Sequence, residues 1–258
     1  MFVFVYGVLF SVHFISYECE GKIISPPNRT VLTFLPGSSE NITWTFDDVV
    51  SRVTSRTWYF TSSDGLRSGT LGAIALDLQP QIQKNVLSGV NIMKPATLVL
   101  NNVNHSYDGV YTFSLQAAVK TYSSKVTVYI AKKPTVTSNC SSSVTVIEGD
   151  DVTCVCRGEG GSPPANVTWY KKDVQIGETK KENNTLTLTD ANVTVSGIYK
   201  CVAQSYPTDA YKDEKSIKIM VNVKSTPIQP STSATNVTTT GKNDASSGTE
   251  WYVVVVSL

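Results

Sequence analysis

The side chains best suited to covalent or metal chemistry in this 258-residue chain are five cysteines and two histidines. Thiolates and imidazoles bind metals or act as nucleophiles, and cysteines also form disulfides. Four of the cysteines lie close together, at Cys140, Cys154, Cys156 and Cys201. They contain no Cys-x-x-Cys pair of the kind that holds zinc, so the spacing favours disulfides.

Four cysteines allow three pairings, and strand geometry removes one of them. Cys154 and Cys156 are two residues apart in a run predicted to be a strand, so their side chains point the same way and cannot bond. Two alternatives remain open on this reasoning. Either Cys156 pairs with Cys201 and Cys140 with Cys154, or Cys154 pairs with Cys201 and Cys140 with Cys156.

No catalytic, cofactor-binding or metal-binding arrangement is apparent. His13 lies in the apolar N-terminal segment, and His105 stands alone in a polar corner loop. The glycine-rich residues 158–161 lack the lysine of a phosphate-binding loop. With 22 basic against 21 acidic residues, the chain also lacks the basic field that nucleic acid requires. We therefore expect neither an enzyme nor a cofactor, metal ion or nucleic-acid partner.

The two ends of the chain differ in composition from the middle. Residues 1–21 are largely apolar and are predicted to be a signal peptide. Its cleavage would remove Cys19 from the mature protein. Residues 224–250 are rich in Ser and Thr and poor in apolar residues, which predicts an extended, glycosylated stalk. Residues 251–258 are similar to the beginning of a transmembrane segment but are too short to span a bilayer.

The middle of the chain predicts an all-β fold, because short alternating runs rich in Val, Ile, Thr and Tyr are separated by turn signals. In residues 134–223, Cys156 is followed by Trp169 after 13 residues and by Cys201 after 45. Tyr199 lies two residues before Cys201, at the tyrosine-corner position. This spacing resembles that of the immunoglobulin superfamily, and it is closest to the intermediate-set (I-set/C2-like) domains of animal cell-adhesion and recognition receptors.

The resemblance implies two tandem immunoglobulin-like β-sandwiches. Residues 134–223 are here called domain 2. There the resemblance implies a disulfide between Cys156 and Cys201 across the sheets, and the remaining cysteines, Cys140 and Cys154, would form a second disulfide. Residues 22–130, here called domain 1, resemble a variable-type domain without a disulfide. There Tyr111 keeps the tyrosine corner, while Phe46 and Phe113 replace the cysteines, with Trp44 as the second choice for the first position.

Eight N-x-[ST] sequons predict N-linked glycans and passage through the secretory pathway. They are at Asn28, Asn41, Asn104, Asn139, Asn166, Asn183, Asn192 and Asn236. In domain 1 they map to strand A, strand B and the E–F corner, and none falls on the predicted strands C, F or G. Variable-type domains of this family commonly pair through the sheet formed by those strands.

Strand alternation predicts which side chains of that sheet face outward. We call them the CFG face: Tyr59, Thr112, Ser114, Gln116, Lys125 and Thr127. The expected function is a cell-surface adhesion or recognition receptor that binds a protein partner, or the same protein on another cell, through this face. The alternative is a secreted immunoglobulin-domain binding protein, such as a decoy or an immune recognition molecule.

Overall fold

The computed structural model describes residues 22–47, 50–118 and 120–224. The predicted signal peptide (1–21), the sequon at Asn236, the Ser/Thr-rich stalk beyond Lys224 and the apolar end (251–258) lie outside the described residues. No helix among the described residues is long and apolar enough to cross a membrane. The all-β fold with two immunoglobulin-like sandwiches is confirmed.

Domain 1 contains eleven strands among its described residues. They are β1 (Ile23–Ser25), β2 (Thr30–Phe34), β3 (Glu40–Thr43), β4 (Thr45–Phe46), β5 (Val53–Ser62), β6 (Ser68–Ala75), β7 (Gln81–Ile82), β8 (Val90–Met93), β9 (Thr97–Leu100), β10 (Gly109–Ala117) and β11 (Thr121–Ile130). One sheet has the order β2-β11-β10-β5-β6-β7, and the other has the order β3-β9-β8, while β1 pairs with β4. All these pairings are antiparallel except that of β2 with β11.

Domain 2 contains eight strands. They are β12 (Thr135–Ser138), β13 (Ser143–Ile147), β14 (Val152–Glu159), β15 (Asn166–Lys171), β16 (Val174–Lys181), β17 (Asn183–Leu188), β18 (Gly197–Gln204) and β19 (Lys212–Asn222). The order β13-β19-β18-β15-β16 forms one sheet, and β12-β14-β17 forms the other. In the strand lettering of immunoglobulin domains, strands B, C, E and F of domain 2 are β14, β15, β17 and β18.

The two sheets of domain 2 are joined by a disulfide between Cys156 and Cys201, whose Cα atoms are 6.5 Å apart. A second disulfide joins Cys140, after β12, to Cys154 on β14. The Trp169 side chain is buried in the same core. Its indole N–H donates to the Asn184 carbonyl oxygen at 3.2 Å, so the largest side chain of this core has its polar atom satisfied.

In domain 1, aromatic rings fill the place of the inter-sheet disulfide. Trp44 stacks on Phe113, with 5.2 Å between ring centroids and 26° between planes. The Trp58 ring is tilted by 44° against Phe113, also with 5.2 Å between centroids. All three side chains are buried. The first choice of Phe46 for this position is therefore wrong, and Trp44, the second choice, occupies it.

The position of Phe46 follows from the pairings of β3 and β4. Thr43, the last residue of β3, pairs with Thr97, the first residue of β9. Phe46 therefore lies beyond the ladder that covers the middle of the sandwich, and it pairs instead with Ile23 of β1. Its side chain is only partly buried and packs on the rim of the core.

Candidate partner-binding face

The six residues of the CFG face project from the outer surface of β5, β10 and β11. Alternation on β10 buries Tyr111, Phe113 and Leu115 and turns the residues between them outward. Thr112 pairs with Tyr59 on one side and with Lys125 on the other, so these three residues form one row across the sheet. The structure thus brings the predicted residues onto a single surface of three adjacent strands.

The exposure of the six residues is unequal. Tyr59 is 43% exposed, and Lys125 is exposed as well. The other four residues are half-buried: Thr112, Ser114, Gln116 and Thr127. The Gln116 amide is engaged locally, since it donates to the Ala117 carbonyl oxygen and accepts from the Thr121 hydroxyl. Tyr59 and Lys125 therefore offer most of the accessible area.

The face carries little charge, since Lys125 is its one ionisable group besides the Tyr59 hydroxyl. A weakly charged surface with a half-exposed tyrosine suits a protein contact in which the partner buries an aromatic ring together with small polar groups. Long-range steering by charge is not a feature of such a surface.

The strands behind the face are held by a tyrosine corner. The Tyr111 hydroxyl donates to the Tyr107 carbonyl oxygen at 2.9 Å, which ties β10 to the loop before it. Burial of the ring raises the pKa of Tyr111 above its usual value. Domain 2 has the same device, in which the Tyr199 hydroxyl donates to the Val195 carbonyl oxygen at 2.7 Å.

The sequon asparagine nearest to the CFG face is Asn28, and its position differs from the expected one. It lies in the turn between β1 and β2 rather than on strand A. Its side-chain oxygen accepts from the Lys125 backbone N–H at 3.0 Å, and the Arg29 N–H donates to the Lys125 carbonyl oxygen. A glycan at Asn28 would therefore border the β11 side of the face, beside Lys125.

The other sequon asparagines among the described residues are also exposed. Asn41 lies on β3 in the opposite sheet of domain 1. Asn104 and Asn192 occupy equivalent corners of the two domains, where each side-chain oxygen accepts a backbone N–H two residues later. These contacts use the amide oxygen rather than the nitrogen, which is the atom that would carry the glycan. Asn139, Asn166 and Asn183 are the remaining three.

The corresponding sheet of domain 2 differs because it carries a sequon on its outer face. Val167 and Trp169 of β15 point inward, so alternation turns Asn166 and Tyr170 outward, while Thr168 is buried. An oligosaccharide at Asn166 would stand on the surface that is equivalent to the CFG face. The side chains around Tyr170 are also more strongly charged than those around Thr112, and Lys200 bonds Asp173 at 2.9 Å.

A buried arginine was missed by the sequence analysis. Arg56 lies on β5 with its side chain fully buried, and its guanidinium donates to the Pro95 carbonyl oxygen at 2.9 Å and to the Leu76 carbonyl oxygen. It also lies 3.4 Å from Asp77, whose pKa is lowered first by Lys94 and then by Arg56. Arg56 thus ties together two loops at the end of domain 1 where β5 begins. Its inward position on a strand rich in aromatic residues was the available signal.

Among the described residues, no group of three or more His, Cys, Asp or Glu side chains is arranged to hold a metal ion. The four cysteines of domain 2 are all consumed by the two disulfides. His105 is half-exposed and lies 3.1 Å from Asp108 rather than standing free in its loop.

Comparison with known proteins supports the resemblance. Residues 133–205 match the family model of the immunoglobulin domain. The limbic system-associated membrane protein of Rattus norvegicus is 32% identical over 146 residues, which cover 57% of this chain and 41% of that protein. IgLON family member 5 of Homo sapiens is 30% identical over 133 residues, which cover 52% and 38%. The chain thus spans about two fifths of the length of these relatives.

Two solved structures are similar to this chain at lower sequence identity. A Dscam chain, solved to explain isoform specificity, is 15% identical with a TM-score of 0.45 and covers 78% of this chain and 46% of its own. The amphioxus IgVJ-C2 molecule is 20% identical with a TM-score of 0.40 and covers 73% and 99%. Together with the family match, the fold confirms that the chain resembles proteins of the immunoglobulin superfamily.

Proposed function

We propose that this chain is an adhesion or recognition protein of the cell surface, and that domain 1 binds a protein partner through the CFG face. One observation carries the proposal. The outer surface of β5, β10 and β11 bears no sequon and presents Tyr59, Thr112 and Lys125 in one row. The equivalent sheet of domain 2 carries Asn166, and the opposite sheet of domain 1 carries Asn41.

The proposed location rests on two further features. Seven exposed sequon asparagines and two disulfides suit a protein that matures in the oxidising secretory pathway. The rat relative is named as a membrane protein. Attachment through a segment that begins near residue 251 remains part of the proposal, and so does the stalk of residues 224–250.

The proposed mechanism is a weak contact multiplied by many copies. The six residues of the CFG face include one half-exposed aromatic side chain and mostly short polar ones, which limits the affinity of a single contact. Chains held on two opposed membranes act as multivalent arrays, in which linkage raises the overall avidity without any new contact. The partner is then another surface protein or a second copy of this chain.

A glycan placed on the face tests this proposal. Thr112→Asn creates a sequon in one step, because Ser114 already stands two residues later. Beads coated with the full secreted chain are mixed with one another and with dissociated animal cells, and attachment is counted. We expect the native chain to attach and the glycosylated variant to lose at least roughly tenfold, since a buried contact cannot accommodate an oligosaccharide.

Two matched variants separate glycan blockage from damage. Thr112→Gln changes the same side chain without creating a sequon and should attach almost as well as the native chain. Met93→Thr creates a sequon at the exposed Asn91 on β8, in the opposite sheet, and should also attach normally. Unchanged attachment after glycosylation at position 112, or no attachment by the native chain to beads or cells, would refute the proposal.

A further inference from the structure

The joint between the two domains is built from more than the covalent connection. The linker is Ala131-Lys132-Lys133-Pro134, of which Ala131 and Pro134 are buried. Lys132 forms a two-way backbone pair with Ser162, in the loop between β14 and β15 of domain 2. The Lys132 N–H donates to the Ser162 oxygen at 2.8 Å, and the Ser162 N–H donates back at 3.1 Å.

The same loop packs closely against the linker. A Cβ atom at Gly161 would lie 3.2 Å from the Cβ atoms of both Pro134 and Ser205, which is tighter than an ordinary contact. The Ser205 hydroxyl donates to the Lys132 carbonyl oxygen at 2.6 Å. The linker is therefore fixed along one side to domain 2.

Asp108 provides the connection from the other side. It belongs to domain 1 and precedes β10, and its side chain is only 12% exposed. One carboxylate oxygen accepts from the Ile130 N–H at 2.6 Å, at the end of β11. The same oxygen accepts from the Ser162 hydroxyl of domain 2 at 3.3 Å, and the other oxygen lies 3.1 Å from His105.

The residue of domain 2 that is equivalent to Asp108 shows which of its bonds serve domain 1 alone and which serve the joint. Asp108 lies three residues before the corner tyrosine Tyr111, and Ser196 lies three residues before Tyr199. The Ser196 hydroxyl oxygen accepts from the Val221 N–H at 3.0 Å, at the end of β19. A serine is thus sufficient to hold the last strand, and the carboxylate of Asp108 provides acceptor capacity beyond that need.

We infer that Asp108 locks the two domains into a fixed orientation by accepting from Ser162 across the joint. The carboxylate holds the end of β11 and the loop of domain 2 at once, so a rotation of domain 2 must break a charge-assisted hydrogen bond as well as the Lys132–Ser162 backbone pair. The lock sets the direction in which the sheets of domain 1 face relative to domain 2. The inference does not depend on the identity of any partner.

Asp108→Ser is the decisive variant, because the serine of domain 2 shows that this residue can keep the strand-end bond. Spin labels are attached to ketone-bearing amino acids at the exposed positions Lys84 and Lys218 of the full secreted chain, and electron paramagnetic resonance measures the distances between them. The native chain should give one narrow distribution. Loss of one hydrogen bond should raise the population of other orientations about fivefold and broaden the distribution.

Two more variants make the result specific. Ser162→Ala removes the donor from the opposite side and should broaden the distribution in the same way. Ser196→Ala removes the equivalent bond inside domain 2, where no contact with domain 1 is involved, and should leave the distribution narrow. A broad distribution in the native chain would overturn the inference. An unchanged distribution after both Asp108→Ser and Ser162→Ala, or equal broadening by Ser196→Ala, would also overturn it.

Discussion

In domain 2 a disulfide between Cys156 and Cys201 joins the two sheets, whereas in domain 1 Trp44 stacks on Phe113 at the corresponding place. The disulfide acts mainly by restricting the unfolded chain. The aromatic pair acts in the folded state, through buried area and ring contact. Domain 2 is therefore stabilised mainly through its unfolded state and domain 1 through its folded state. Domain 2 should respond most to reduction, and domain 1 to the loss of a buried aromatic side chain.

The two cores also differ in how completely their polar atoms are satisfied. In domain 2 the Trp169 indole N–H has a carbonyl partner. In domain 1 the indole nitrogens of Trp44 and Trp58 are buried without a hydrogen-bond partner among the described residues. An unsatisfied buried donor costs about 1–3 kcal/mol. Replacing a disulfide by tryptophan thus adds buried area but leaves a polar atom that the cysteine pair does not have.

Chemical reduction should separate the domains most strongly. In the chain-entropy account, the Cys156–Cys201 link contributes about 4 kcal/mol and the shorter Cys140–Cys154 link about 3 kcal/mol. Losing both removes much of the stability of a typical domain, so domain 2 should unfold while domain 1 stays folded. Hydrogen exchange after treatment with a reductant should show lost protection in β18 and unchanged protection in β10.

The double variant Cys140→Ser with Cys154→Ser isolates the smaller link and should leave domain 2 folded but less stable. Loss of hydrogen-exchange protection in β10 after reduction would contradict this difference between the domains. So would full protection of β18 after both disulfides were reduced.

Trp44→Ala should produce the next largest effect, and in the opposite domain. Removal of a fully buried tryptophan should cost about 3–5 kcal/mol, because the cavity beside Phe113 can close only partly. Protection should fall in β10 and remain in β18. Phe46→Ala is the matched control, since the partly buried Phe46 should cost clearly less. An equal loss for both variants would contradict the assignment of Trp44 to the disulfide position.

The difference between Trp44 and Phe46 also shows what the sequence could and could not predict. Alternation turns both residues inward, and only the pairing of Phe46 with Ile23 of β1 shows that Phe46 lies at the rim of the core. The Trp169 and Tyr199 positions were predictable because they rest on fixed spacings within and between neighbouring strands. The outward direction of Thr112 and Lys125 was predictable for the same reason, since alternation is a local property of each strand.

Contacts between distant segments could not be predicted in this way. The Arg56 guanidinium binds carbonyl oxygens of residues 20 and 39 positions away, and such pairs have no periodic signature. The placement of Asn28 beside Lys125 depends on the parallel pairing of β2 with β11, which sequence alternation does not reveal. Asp108 could be recognised as part of the tyrosine corner, but its second partner lies in another domain.

The tyrosine corner of domain 1 should give the smallest effect, with a dependence on pH that identifies it. Burial raises the pKa of Tyr111 above its unfolded value of 10.0, so the folded state keeps the proton that the unfolded state loses. The stabilisation that the protonated Tyr111 provides is complete below about pH 10 and declines above it by up to about 1.4 kcal/mol per pH unit.

Tyr111→Phe should cost about 1 kcal/mol of stability at neutral pH, because one hydrogen bond is lost, and the stability of the variant should lack this decline with pH. Urea unfolding followed by fluorine NMR of fluorotryptophan at Trp44 and Trp58 should therefore show a constant difference in stability between the two chains from about pH 8 to pH 9.5 and convergence between about pH 10 and pH 11. The Trp169 signal reports domain 2 in the same samples and should be equal in both chains. A difference that stayed constant up to pH 11 would mean that Tyr111 ionises as readily in the folded domain as in the unfolded chain, and the corner would then not be a buried element of the domain 1 core.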